Sequence, residues 1–320
     1  MRGVSPREAL DRIAKAVPES CRANIVVIGS LAAGYVYFGQ DNQMAVRTKD
    51  IDCLLKPHRL AARKGQDIAR QLLDAGWHPK RDGDFSEPGT QQTPDDDLPA
   101  IRLYPPRVDP SNSNAWFIEL LTEPESTNSQ GRSFTRVILD EGHYGLPSFR
   151  FLALTGFMPV AIDHLGIFHA RPAMMALANL LEHRALRPDT IKGGFEGRAI
   201  KRCNKDLGRV LALGYLNEYH HPGSLRAWSA DWYLALKQCF PNESDDLALA
   251  RQVGNGLRAL MASDGDFDEA FHACAYGLLA GLPVDKSTLR ETGDRILGDA
   301  VERLEALPNA RKSDGQQPLG

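Results

Sequence analysis

Asp50 and Asp52 stand two residues apart in Asp50-Ile51-Asp52-Cys53-Leu54-Leu55. In an extended segment, side chains at i and i+2 point to the same face. Two carboxylates side by side repel unless a cation lies between them. Hard oxygen ligands of this kind suit magnesium. Glu119 lies inside Trp116-Phe117-Ile118-Glu119-Leu120-Leu121. A lone carboxylate in an apolar strand is costly unless it is paired, exposed or metal-bound. It supplies a third ligand if its strand neighbours that of Asp50. Gly29-Ser30 follows the apolar run Asn24-Ile25-Val26-Val27-Ile28 and opens a helix. Glycine allows close backbone approach to a ligand, and helix N-terminal amides face an anion such as a phosphate. The Ser30 hydroxyl adds a donor.

Each fragment has a plainer alternative. The aspartates could be solvated at a strand edge, and Glu119 could face solvent or pair with an arginine. The combination of strand, Gly-Ser, helix, Asp-x-Asp on a strand and a further strand carboxylate is far more specific than its parts.

A second group is basic. Lys192, Arg198, Lys201, Arg202, Lys205 and Arg209 stand against only Glu196 and Asp206. On a helix over Gly197 to Tyr219, Lys201, Lys205 and Arg209 align at i, i+4 and i+8, a mildly destabilising row of like charge. An anionic partner, either the triphosphate of a nucleotide or an RNA backbone, would justify it. A solvated face is the alternative and the better reading for Arg198 and Arg209. Asp206 can pair with Arg202 or position a catalytic group. Other candidates carry less. His220-His221 lacks a third ligand, Trp228 and Trp232 have core spacing, and Asp95-Asp96-Asp97 reads as solvated loop. There is no G-x-S-x-G and no G-x-x-x-x-G-K-[ST], which leaves a hydrolase triad and a P-loop without support.

The positioning elements follow from periodicity. Pro6 to Val17 reads as an amphipathic helix, Asn24 to Ile28 as a strand buried on both faces, and Leu31 to Phe38 as a helix. Gln40 to Lys49 is loop, Asp50 to Leu55 a strand, and Leu60 to Ala75 a helix closed by Gly76. Lys80 to Pro99 is a mobile loop or lid candidate. Ala100 to Tyr104 and Ala115 to Leu121 are strands flanking a loop with Ser111-Asn112-Ser113-Asn114, and Phe134 to Leu139 with Phe149 to Leu154 add a peripheral hairpin. Helices are expected over Met174 to Leu186, Gly197 to Tyr219, Ser224 to Cys239, Asp245 to Met261, Asp266 to Leu279 and Thr288 to Ala306. The expected plan is α/β (α+β). A catalytic domain over 1–170 is followed by a helical domain over 171–308 that completes the cleft, then a disordered tail over 309–320.

The bulk properties set limits. The chain has 320 residues, 42% hydrophobic and 25% charged, with net charge -3, which suits a soluble globular protein without a whole-molecule pull toward nucleic acid. Five scattered cysteines without a C-x-x-C pair argue against a disulfide framework or zinc site and for a reducing compartment; Cys53 reads as core. Without an apolar leader or a long apolar run, the expectation is a cytoplasmic protein that does not engage a membrane.

Gly29-Ser30, Arg47-Thr48-Lys49-Asp50-Ile51-Asp52 and Ile118-Glu119-Leu120 resemble the signature of the minimal nucleotidyltransferases related to DNA polymerase β. That signature is h-G-[GS], then [DE]-h-[DE]-h, then h-[DE]-h. The resemblance covers roughly Asn24 to Leu121. A looser likeness to the AbiEii-like branch, which includes toxins of bacterial toxin–antitoxin and abortive-infection systems, runs through Arg171-Pro172-Ala173, Leu177 to Arg184 and Lys205-Asp206-Leu207. Asn179-Leu180 stands where that branch often has Lys-Leu, and Gly208-Arg209 where a second aspartate is usual.

The resemblance implies a nucleotidyltransferase-like mixed sheet with flanking helices. It also implies two magnesium ions on Asp50, Asp52 and Glu119, and an NTP whose phosphates lie at Gly29 and Ser30. Lys49, Lys201, Lys205 and Asp206 are expected on the nucleotide. NMP would pass to a hydroxyl on RNA or protein, and a cognate antitoxin is the implied partner. Two alternatives remain: a catalytically weak nucleotide-binding or interaction protein on the same fold, and an antibiotic-type nucleotidyltransferase, for which Asp95 to Asp97 could be the acidic cluster.

Overall fold

The computed structural model describes residues 3–39, 45–81, 87–109, 115–127, 131–195, 197–241 and 248–307, with side chains omitted over 192–195. It is a mixed α/β protein that divides into two compact units, Met1–Arg171 and Pro172–Gly320. The expected loop at Ser111 to Asn114 and the tail from Asn309 lie outside the described residues.

The first unit opens with α1 (Pro6–Ala16), capped by the Ser5 hydroxyl, and a short turn α2 (Glu19–Arg22). β1 (Ile25–Val27) is buried along its length, as its unbroken β-branched run requires. Next comes α3 (Gly29–Phe38), apolar nearly all round and buried accordingly. β2 (Asp50–Leu55) follows, and then α4 (His58–Asp74), which buries Ala61, Gly65, Ile68, Ala69 and Leu72 at helical spacing. Gly76, with φ +83°, ends the helix as expected. β3 (His78–Pro79), β4 (Arg102–Tyr104) and β5 (Phe117–Thr122) complete one side of the sheet.

A hairpin of β6 (Arg132–Leu139) and β7 (Gly142–Phe149) forms a separate two-stranded ladder. A short helix α5 (Leu152–Thr155) and a second hairpin, β8 (Val160–Ile162) with β9 (Ile167–His169), close the unit. The large sheet has seven strands in the order β3-β4-β5-β2-β1-β9-β8. β2 runs parallel to β5 and β1 parallel to β9; the other neighbours are antiparallel.

Two expectations change here. The partner of Phe134 to Leu139 is β7, not Phe149 to Leu154. The tight Asp140-Glu141 connection sets that register, and Gly142 takes φ +139°, which glycine tolerates. In the stretch before Pro99, the described residues 87–99 are also tied to the hairpin. Arg136 donates to the carbonyls of Thr90 and Thr93 and pairs with Asp95 at 2.6 Å.

The second unit contains α6 (Pro172–Glu182), the hairpin β10 (Thr190–Phe195) with β11 (Arg198–Lys201), and α7 (Arg202–His220). It continues with α8 (Leu225–Cys239), α9 (Asn255–Ala262), α10 (Asp264–Tyr276) and α11 (Lys286–Arg295), which runs on through a π-turn over Ile296–Val301. Trp232 is fully buried and donates from Nε1 to the Ala173 carbonyl at 2.8 Å, so the tryptophan spacing marks core. The helix expected from Gly197 begins instead at Arg202, after β11. Of the helix expected from Asp245, the described part is a single turn at Ala250–Gln252 followed by α9.

Candidate active site

The parallel register of β2 and β5 sets Asp50 beside Phe117 and Asp52 beside Glu119. Partners in register share a face, so Asp50, Asp52 and Glu119 all issue from one side of the sheet. β4 extends the row, since Arg102 is in register with Glu119.

Gly29 stands on the other flank of β2. The amide of Ile28 donates to the Asp52 carbonyl at 3.0 Å, which draws the start of α3 onto the Asp52 strand. Gly29 has φ +74°, and a Cβ at that position would lie 2.8 Å from Asp52 Oδ2. The helix thus begins with its backbone against a carboxylate. Ser30, next in the helix, is half-buried. The glycine is required twice over, by its left-handed backbone and by the space it leaves.

The three carboxylates differ in setting. Asp50 is exposed and accepts a hydrogen bond from the Thr48 hydroxyl at 3.0 Å. Asp52 is half-buried. Glu119 is buried and holds Arg102 in a two-point pair, Nε to Oε2 at 3.1 Å and Nη2 to Oε1 at 3.3 Å. Among the described residues, no three His, Cys, Asp or Glu side chains converge closely enough to enclose a metal ion as they stand. The Arg102 pair gives a physical reason: Glu119, set beside Asp52, is neutralised from the opposite side. Sequence reasoning foresaw an arginine only as a general alternative, because the partner of a strand residue depends on a non-local register.

Lys49 lies next to Asp50, and its carbonyl accepts from the Phe117 amide at 2.9 Å. Lys80, at the end of β3, donates from its amide to the Arg102 carbonyl at 2.8 Å.

Lys201, Lys205 and Asp206 belong to the second unit. Lys201 ends β11 and caps α7, off the expected helical row, and its Nζ pairs with Asp266 at 2.5 Å. Asn204 donates to the same Asp266 and to Glu269, so these carboxylates are shared within the unit. Asp206 accepts from His183 Nε2 at 2.9 Å and lies 3.3 Å from Lys205 Nζ and 3.8 Å from Arg209. Burial would raise its carboxyl, but Lys205, the His183 hydrogen bond and Arg209 outweigh that and hold it well below the ordinary carboxylate value. The expected Arg202–Asp206 pair gives way to Arg202–Asp189 at 3.4 Å. His183 was not singled out by sequence, since its contact with Asp206 joins residues 23 positions apart and no spacing encodes it.

No protein-family model matches the chain, and no curated protein or solved structure matches it either. Among the described residues, no helix is long and apolar enough to cross a membrane.

Proposed function

We propose that the chain is a magnesium-dependent nucleotidyltransferase with a nucleotidyltransferase-like sheet. It would move NMP from an NTP to an acceptor hydroxyl on RNA or protein. The observation that carries this reading is the register of Asp52 beside Glu119, with Asp50 on the same face and Gly29 against Asp52. An all-oxygen donor set fits magnesium. Asp50 and Asp52 would hold it, with Glu119 contributing lone pairs that Arg102 leaves open. When bound, the metal neutralises triphosphate charge and acidifies the acceptor hydroxyl.

The remaining work falls to the chain. Gly29 keeps a side chain out of the approach to the first amides of α3, where β/γ-phosphates are favoured, and Ser30 adds a donor. Lys49 supplies positive charge beside Asp50. The acceptor oxygen forms a bond to the α-phosphorus, the bond to the β-phosphate bridging oxygen breaks, and pyrophosphate leaves with that electron pair. The hydroxyl proton passes to solvent or to a carboxylate. A cytoplasmic toxin of a toxin–antitoxin or phage-defence pair, neutralised by a cognate antitoxin, is the biological setting this chemistry suits.

The two-point Arg102–Glu119 pair favours one second reading. If the guanidinium never yields Glu119, the site binds nucleotide but transfers little. The test incubates purified protein with each α-labelled NTP, magnesium and total RNA. Label on RNA or protein is expected from the native chain and not from Asp50→Ala or Asp52→Ala. Nucleotide binding without transfer supports the second reading, and label transfer that survives in both variants rules out the carboxylate mechanism.

A further inference from the structure

The hairpin of β6 and β7 holds a strap of chain, residues 89–99, along the outer edge of β7. His143 is in register with Ile138 of β6, and its backbone groups face the other way. They exchange two hydrogen bonds with Gly89, at 2.8 and 2.9 Å, and the Gly145 amide donates to the Pro99 carbonyl at 2.9 Å. The strap is thus pinned to β7 at both ends, and its middle is gathered on one side chain. Arg136 of β6 turns each guanidinium nitrogen to an acceptor on the strap. Nε donates to Asp95 at 2.8 Å, Nη1 to the Thr90 carbonyl at 3.1 Å, and Nη2 to the Thr93 carbonyl. Nη1 has a further partner in Nδ1 of His143, 2.9 Å away.

That last contact fixes the state of the imidazole. A guanidinium only donates, so Nδ1 must present its lone pair and the ring proton must sit on Nε2. A protonated ring would set an N–H and a second positive charge against Arg136. Histidine is the side chain that changes charge between about pH 5 and 8. The other ionisable groups around this hub are of different types. Asp95 lies on Arg136 with Asp96 and Asp97 exposed beside it, Glu87 and Glu141 both pair with Arg81, and Asp140 pairs with Arg70. Carboxylates and guanidinium groups ordinarily titrate outside the histidine window. Tyr144, 3.2 Å from Glu141, is pushed up to about 12 by burial first and then by the Glu141 charge, so it stays neutral there.

We infer that residues 89–99 are held by a proton-sensitive latch: neutral His143 completes the acceptors around Arg136, and uptake of a solvent proton at its Nδ1 loosens the strap. The latch does not depend on the transferase reading. The strap leads through Ala100 and Ile101 into β4, the strand of Arg102, so its release reaches the lead-in to the Glu119 pair.

The test is hydrogen exchange by mass spectrometry on the full chain at about pH 8 and about pH 5, with rates corrected for the intrinsic effect of pH. The strap amides of Thr93, Asp97 and Leu98 donate to the carbonyls of Thr90, Pro94 and Asp95, so they report its order. Their protection should fall about tenfold in acid, the scale of one charge-assisted hydrogen bond, while that of β2 and β5 stays level. In His143→Gln, whose amide oxygen can accept from Arg136 but does not titrate, the fall should vanish. Low protection of that variant at both pH values would also support the latch, because the acceptor is then missing throughout. Asp95→Asn weakens the hub without touching the histidine, so it should lower protection at both values and keep the fall. Equal protection of the native strap at both values, a fall that survives in His143→Gln, or a fall shared equally by β2 and β5 would overturn the latch.

Discussion

Arg102 grips both carboxylate oxygens of Glu119, and its partner stands beside Asp52 on the adjoining parallel strand. A buried carboxylate next to a second carboxylate therefore has one strong source of compensation in the metal-free chain. The arginine side chain is 37% exposed and the glutamate 12%, so the pair is partly screened on one side only.

Removing Arg102 should expose that dependence. In EDTA, Arg102→Ala is expected to lower unfolding free energy by about 1–3 kcal/mol, the cost of leaving a buried charged acceptor poorly satisfied. The double variant Arg102→Ala/Glu119→Gln should recover part of it, because the uncompensated charge is gone. Magnesium should stabilise Arg102→Ala more than the native chain, since a cation at the carboxylates then replaces the missing guanidinium. Urea denaturation in EDTA and in magnesium reads all of these. An equal magnesium increment in the native chain, Arg102→Ala and the double variant would show that the ion does not reach Glu119.

The Gly29–Asp52 contact makes a separate prediction. Gly29→Ala forces an L-residue into φ +74° and drives a methyl to within 2.8 Å of Asp52 Oδ2. The backbone part costs about 1–2 kcal/mol wherever the side chain points. The steric part depends on the carboxylate. In an Asp52→Ala background, Gly29→Ala should therefore still destabilise, but by less than in the native chain. A double-mutant cycle by chemical denaturation measures the difference. Additive effects would mean that the carboxylate is free to move aside, and that it does not fix the geometry of the α3 entrance.

Much of this site was readable in the chain because its signals are local. A period of two in Asp50-Ile51-Asp52 fixes a shared face, and Gly29 after a β-branched run fixes the strand-to-helix turn. α4 was legible from its spacing and its closing glycine. What was not legible is non-local or short. Whether Glu119 meets Arg102 depends on an antiparallel register that no spacing encodes. β8 and β9 have three residues each around a turn at Gly166, too short for a period to emerge. Lys201 looked helical because Ile200 and Cys203 fit a helical face. β11 ends at Lys201 instead, paired to β10 with Ile200 buried, and the helix that holds Cys203 starts only at Arg202.

The cluster around Asp206 makes acid stability a measurable property of the second unit. Its carboxyl is depressed in the folded state against the opposing effect of burial, by Lys205, His183 and Arg209. A depressed carboxylate binds its proton less readily when folded than when unfolded. It therefore contributes stability at every pH above the unfolded value of about 3.9, and that contribution drains away as pH falls below it toward the folded value. Near neutrality, Asp206→Asn should lose the stabilisation that the three neighbours give the charge. As pH drops from about 5 toward 2, the native chain should lose stability more steeply than Asp206→Asn, so that the two curves converge. Denaturant titrations across that range provide the comparison. Parallel curves would mean that Asp206 titrates alike in both states, and that its cationic neighbours only offset the burial of its charge.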